Sequence, residues 1–311
     1  MHMHIKQTLA VGVSVAAMLA TVAGCSSSSS NGSSSSGSTI SIVAAENEYG
    51  DVAQSIGGAA VKVTSIMSNP NTDPHTFEAS TSVARTISTA NIVIENGLGY
   101  DDFMSKLESA SPNDHRVVIS AQKVLKLPDS TKNPHLWYNP GNMLKVASAL
   151  RDELVKMDAK QAKTFDANYT KFQASLEGLQ SQIADFKSAH DGVTAAVTEP
   201  VADYLLELSG VKVLTPWSLQ AAIMNDTDPS SQDSSYQESL FTGKQIKLFL
   251  YNQQVTDDTT TKYLNLAKRN TIAVVGVYET MPSGYHYVSW MQAELKAMTA
   301  AVEHGTSSER L

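Results

Sequence analysis

A chain of 311 residues with a single cysteine, Cys25, has no partner for a disulfide and no cysteine set for a zinc finger. Basic clusters are missing as well. Lys and Arg number 23 against 31 Asp and Glu, giving a formal net charge of -8. An acidic chain without a Lys/Arg patch excludes nucleic acid as a partner. Long apolar runs are also lacking: Leu9 to Ala23 spans fifteen residues, where a membrane-crossing helix needs about twenty. Finally, there is no Gly-Xaa-Ser-Xaa-Gly elbow, no His-Glu-Xaa-Xaa-His pair and no phosphate loop, which removes the commonest signatures of hydrolases and nucleotide enzymes.

What is present begins with an address. Lys6, the apolar stretch and the small residues Val22-Ala23-Gly24 before Cys25 fit a lipoprotein signal at 1–24 and a cleavage box whose cysteine carries the lipid. An ordinary signal peptide with an incidental cysteine is the plainer alternative. The use of the only cysteine at that position favours lipidation. The location expected is therefore the cell surface, at the outer face of the cytoplasmic membrane. Ser26 to Ser38 holds only Ser, Gly and Asn, a flexible tether with a root-mean-square reach of about 20 Å. Removing Lys6 with the signal takes the net charge from -8 to -9.

The body, Thr39 to Leu311, has 273 residues, enough for one large domain or two ordinary ones. Its first part alternates strand and helix. Ile40 to Ala45, Val61 to Met67, Asn91 to Glu95 and Arg116 to Ser120 read as strands, with helices over Glu46 to Ile56, Ser82 to Ala90 and Asp101 to Ser109. That rhythm predicts a parallel sheet covered by helices. In the middle, a helix follows Asn139-Pro140. A second, capped by Asp158, carries Phe165, Tyr169, Phe172, Leu176, Leu179, Ile183 and Phe186 on one stripe. From Ala159 to His190 it would measure about 48 Å, a brace packed across two domains. Strands then resume at Thr194 to Thr198, Lys212 to Leu214, Lys247 to Tyr251 and Ile272 to Val277, with helices over Val201 to Leu208, Thr256 to Asn270 and Tyr287 to Glu303. The fold class expected is α/β: an N-terminal lobe at 39–138, a helical connector at 139–190 and a C-terminal lobe at 191–311, with a site in the cleft between lobes.

Ligands of open α/β sheets gather beyond the carboxyl ends of strands. Four ionisable residues fall there: His75 in Asp73-Pro74-His75, His135 in Asn133-Pro134-His135, Glu199 before Pro200, and Glu279 after Tyr278. Two imidazoles and two carboxylates suit Mn²⁺ or Zn²⁺, and an acidic body agrees with collecting cations. Each residue also has a plainer reading, a solvated loop histidine or a glutamate capping a helix. Tyr49, Trp137 and Tyr138 either wall such a site or belong to the core, which is favoured for most of them. Asn252 is placed to orient a ligand by hydrogen bonding. His115, His190 and His304 fit no constellation.

The motifs Asp73-Pro74-His75-Thr76-Phe77-Glu78, Asn96-Gly97-Leu98-Gly99, Asn133-Pro134-His135-Leu136-Trp137, Glu199-Pro200 with Tyr204, and Tyr278-Glu279-Thr280 carry a resemblance that runs from about Ile40 to Met298. On them the chain resembles the substrate-binding lipoproteins of ABC importers for manganese and zinc, a group that includes streptococcal surface antigens once classed as adhesins. The resemblance implies two lobes joined by one rigid helix and a metal between them, bound by His75, His135, Glu199 and Glu279. It implies a transported ion, Mn²⁺ or Zn²⁺, a permease as partner, a monomer and no enzymatic activity. Zinc-devoted members often carry a third His where this chain has Glu199, and a His-rich acidic loop that is absent here. That departure leans toward manganese, although zinc normally outcompetes manganese for one ligand set. Many members have Asp at the position of Glu279, and His286 follows seven residues later, so which of the two completes the site stays open.

The long helix predicts small adjustments on binding rather than a clamshell swing. The competing readings are a surface adhesin with a structural metal, a metal-dependent hydrolase, and a siderophore or vitamin binder. Four protein ligands argue against the hydrolase, whose catalytic zinc keeps an open position.

Overall fold

The computed structural model describes residues 39–71, 74, 77, 78 and 80–311. The signal expected at 1–24, Cys25 and the Ser-rich run to 38 lie outside these residues. So do Thr72, Asp73, His75 and Thr76, and with them one of the four expected ligands.

Short β-branched runs, buried on both faces, make two parallel sheets, as such runs do when helices cover both sides. In the first sheet, β1 (Ile40–Glu46), β2 (Val61–Met67), β3 (Ile92–Glu95) and β4 (Val117–Ser120) lie in the order β2-β1-β3-β4. In the second, β5 (Thr194–Val197), β6 (Lys212–Val213), β7 (Leu248–Asn252) and β8 (Ala273–Val277) repeat it as β6-β5-β7-β8. Every pairing is parallel, from Ile42 against Ile92 to Asn252 against Val277. The crossovers are helical: α1 (Asn47–Gly57), α2 (Thr81–Ser88) and α3 (Asp102–Ala110) in the first lobe, followed by the short α4 (Ala121–Leu125). In the second lobe they are α7 (Asp203–Leu208), α8 (Trp217–Met224), α9 (Ser231–Thr242), α10 (Asp258–Arg269) and the closing α11 (Tyr287–His304).

Between the sheets run α5 (Pro140–Met157) and α6 (Ala162–His190). Asn139 starts α5 by accepting from Gly141 N at 2.9 Å, and Pro140 supplies the preset φ of a first turn. The brace is shorter than its sequence pattern suggests. Asp158 turns its carboxylate to Lys160 N at 3.1 Å, which tightens Ala159–Gln161 into a separate 3₁₀ turn. The α-helix proper has 29 residues, about 44 Å. It buries Phe165, Phe172, Leu176, Leu179, Ile183 and Phe186. Tyr169 is half-buried beneath the Arg151 guanidinium.

The α6 stripe packs on α1 and α5 from one side and on α7 and α11 from the other. The largest apolar cluster runs without a break from Ile42 and Ile94 through Leu176 and Leu179 to Val197, Val275 and Trp290. The two lobes therefore share one core, a poor design for a wide hinge. Smaller cores lie on the outer faces, around Val93 and Met104 in the first lobe and Phe241 and Phe249 in the second. The carboxyl ends of β5, β7 and β8 and the loop after α4 converge on the space between the lobes.

Candidate metal centre

His135 sits in the loop leading into the 3₁₀ turn Leu136–Tyr138 and is fully buried. Asn133 fixes it. The Asn133 Oδ1 accepts from His135 N at 3.0 Å and lies 2.7 Å from His135 Nδ1, while its Nδ2 donates to Pro200 O at 2.8 Å. With the amide oriented at both ends, Nδ1 must carry the hydrogen, so in the neutral ring Nε2 presents a lone pair. That Nε2 lies 3.2 Å from Glu279 Oε2. An imidazole lone pair and a carboxylate oxygen at that distance repel unless a proton or metal ion is shared between them.

Glu279 follows β8 and Glu199 follows β5, and both are buried. Asn252, the last residue of β7, brings them together. Its Nδ2 donates to Glu279 Oε1 at 2.7 Å and to Glu199 Oε1 at 3.0 Å, while its Oδ1 accepts from Gln254 N at 3.0 Å. Gln254 Oε1 in turn accepts from Glu279 N at 2.7 Å and Thr280 N at 2.8 Å. Two carboxylates from different strands are thus held by one amide, the kind of support that orients metal ligands.

From the first lobe, Tyr100 donates to Glu279 Oε2 at 3.0 Å. The loop that delivers it, Gly97-Leu98-Gly99, has φ of 84°, 58° and 81°, a left-handed conformation that the two glycines adopt without strain and Leu98 does not. Asp101 holds the loop by accepting from Asn96 N at 2.6 Å and Gly97 N at 2.9 Å. Burial, then the nearby Glu279, pushes the Tyr100 hydroxyl well above its ordinary range, so it stays a donor. Burial likewise raises Glu46 and Glu48, helped by the charge of Asp101 at Glu46 and of Glu279 at Glu48, while Asp101 rises to about 7, mainly through burial. Among the described residues, no other residue hydrogen-bonds to the carboxylate of Glu46 or Glu48. A cleft of about 370 Å³, lined by Leu98, Tyr100, Pro134 and Trp217, lies beside this assembly.

Of the expected ligands, His135, Glu199 and Glu279 are brought together, and His75 lies outside the described residues. Among the described residues, no three His, Cys, Asp or Glu side chains are close enough to hold an ion by themselves. His286 is elsewhere: its ring is 84% exposed and pairs with Asp51 at 2.6 Å. His115 is exposed, His190 and His304 pair with Glu303 on the surface, and none reaches the centre. Trp137 and Tyr138 are core residues, though Trp137 also sets its ring edge-on to His135 at 5.4 Å. Sequence reasoning passed over Tyr100 because it sought ionisable ligands. The signal was its place directly after Asn96-Gly97-Leu98-Gly99.

Two parallel-sheet lobes sharing one long helix, with imidazole and carboxylates buried where they meet, define a metal-type solute-binding protein. The chain belongs to the family described as zinc-uptake complex component A, periplasmic, whose model matches residues 42–301. It is 29% identical over 213 residues to the manganese-binding lipoprotein MntA of Halalkalibacterium halodurans, covering 67% of this chain and 70% of that one. The MntA of Bacillus subtilis is 23% identical over 284 residues, 85% and 88% of the two chains. In structure, the chain is similar to the periplasmic zinc-binding protein TroA from Treponema pallidum. The TM-score is 0.72 at 16% identity, over 85% of this chain and 99% of that one.

Proposed function

We propose that this protein captures a divalent transition-metal ion, Mn²⁺ or Zn²⁺, outside the cell and delivers it to the permease of an ABC importer. It does so as a single chain anchored by lipid on Cys25. The observation that carries the reading is the His135–Glu279 pair: a buried imidazole lone pair 3.2 Å from a carboxylate oxygen, joined through Asn252 to a second carboxylate. His135, Glu199 and Glu279 are the proposed ligands, with His75 as the fourth. Two carboxylates balance the charge of a dication in a buried site, and the imidazole nitrogen adds the borderline donor both metals accept. Names of relatives that bind manganese or zinc support the same ion class. The Glu199 position, where an imidazole would favour zinc, supports manganese within it.

The role is binding rather than turnover. Protonation of the imidazole competes with the ion, so affinity falls as the medium is acidified. The shared core supports release by local loosening of the ligands rather than by wide separation of the lobes.

The test is elemental analysis of the purified protein together with thermal melting as Mn²⁺ and Zn²⁺ are titrated in. One ion per chain, with a melting shift that His135→Ala abolishes, is the expected result. Binding indifferent to His135, or none at all, would overturn the proposal and favour an organic ligand or a surface partner.

A further inference from the structure

Glu279 opens a strap, residues 279–287, that leaves β8 and ends at the first turn of α11. Its own backbone is held within the second lobe by Gln254. Further along, the first lobe takes over. Asn47, at the start of α1, grips Met281 from both sides: Oδ1 accepts from Met281 N at 2.9 Å and Nδ2 donates to Met281 O at 2.8 Å. One turn later on the same face of α1, Asp51 takes the other end of the strap. Its Oδ2 accepts from Tyr287 N at 2.9 Å and its Oδ1 pairs with His286 Nδ1 at 2.6 Å. Between the two grips the strap turns through Gly284 at φ 87°, a bend that glycine allows.

We propose that Asn47 and Asp51 form a latch between lobes that sets how long a bound ion stays, by holding the strap that carries Glu279 against α1. The inference rests on the reading of Glu279 as a ligand. Neither latch residue touches the proposed ligands; both are positioning residues. The geometry suits the role. Glu279 opens the strap, and a shift of the strap away from the first lobe breaks the paired Asn47 bonds. These bonds are half-buried and reach backbone atoms only, so they fix the position of the strap regardless of its side chains. The strap is also the one connection from β8 to α11, so contact by a partner at its exposed tip would act on the ligand through a few hydrogen bonds and not through the shared core.

The test loads the full chain with Zn²⁺ and follows release to an excess of fluorescent chelator by stopped flow. The variants are Asn47→Ala, Asp51→Ala, Asp51→Asn and Leu240→Ala. Asn47→Ala and Asp51→Ala are expected to keep one ion per chain and to release it about tenfold faster, since each loses two hydrogen bonds. Asp51→Asn keeps an acceptor for Tyr287 N and should stay within about threefold of the parent. Leu240→Ala empties part of the outer core of the second lobe, lowers the melting temperature and should leave the release rate unchanged. Release within twofold of the parent in both alanine variants, or equal acceleration by Leu240→Ala, would overturn the latch while leaving the metal site standing. A parent protein that binds no ion, or unchanged binding in Glu279→Ala, would overturn the ligand reading and the latch with it.

Discussion

The two lobes share one strand order, and each places an asparagine at the end of its third strand: Asn96 just after β3 and Asn252 closing β7. Both are fully buried, yet they do different work. Asn96 accepts from Tyr49 OH at 2.7 Å and donates to Pro134 O at 2.8 Å, so it positions the main chain beside His135. Asn252 spends its amide hydrogens on the carboxylates of Glu199 and Glu279. One topological position thus serves a scaffold in the first lobe and charged groups in the second. Strand order dictates where a site forms; the residue that follows the strand dictates what the site holds.

The largest effect should come from what the lobes have in common. Leu176→Ala or Leu179→Ala in α6 removes a fully buried side chain from the shared core and should cost about 2–5 kcal/mol. Calorimetry should still show a single transition. Two separated transitions would mean that the lobes fold independently and that the shared core is a weak coupling.

The asparagines separate the two roles next. Asn252→Ala frees two carboxylates to repel each other and should weaken metal binding about 10–100-fold. Asn96→Ala should lower stability by about 1–3 kcal/mol, leaving Tyr49 OH and Pro134 O unsatisfied, with a smaller loss of affinity. Titration calorimetry and denaturant melts on both variants would show a reversed order if the assignment were wrong.

A smaller effect concerns pH. Glu294 in α11 accepts from Trp290 Nε1 at 2.8 Å and lies 2.9 Å from the Tyr138 hydroxyl, and burial raises its carboxyl from 4.5 to about 8. A carboxylate raised in the folded state binds its proton more tightly there than in the unfolded chain. Stability of the metal-free protein should therefore fall as pH rises from about 4.5 to 8, by about 1.4 kcal/mol per pH unit for each such group. Glu46 and Glu48 are shifted in the same direction and add to the slope in the first lobe. Denaturant melts across this range should show a shallower fall for Glu294→Gln than for the parent; an identical slope would remove Glu294 from the account.

The smallest effect is at the surface. His286→Ala removes a ring that is 84% exposed; it should change stability by less than about 0.5 kcal/mol and leave one ion per chain. Loss of the ion would transfer the ligand role from Glu279 to His286.

Much of this architecture was legible in the sequence, and for identifiable reasons. Short β-branched apolar runs such as Ile40 to Ala45 and Val274 to Val277 read as buried strands, and the stripe from Phe165 to Phe186 reads as a packed helix. Glu199 and Glu279 were singled out because strand ends are where α/β sheets place ligands, and the fold sets both against Asn252. The missed elements have weak patterns. Trp217–Met224 is apolar on most faces, and Ser231–Thr242 is polar along most of its length and is started by the Ser230 hydroxyl accepting from Asp233 N. Glu46 and Glu48 escaped attention because period-based reading turns glutamates outward, whereas the fold buries both. The cross-lobe grips of Asn47 and Asp51 join residues more than 230 positions apart, a separation that no local pattern encodes.

The central claim is that His135 and Glu279 share one ion with Glu199. Anomalous diffraction at the manganese and zinc edges, on crystals of the protein loaded with each metal in turn, tests it most directly. The account predicts a single peak about 2.0–2.2 Å from His135 Nε2 and in contact with oxygens of Glu199 and Glu279. A peak away from these side chains, or one that persists in Glu279→Ala and His135→Ala crystals, would contradict it.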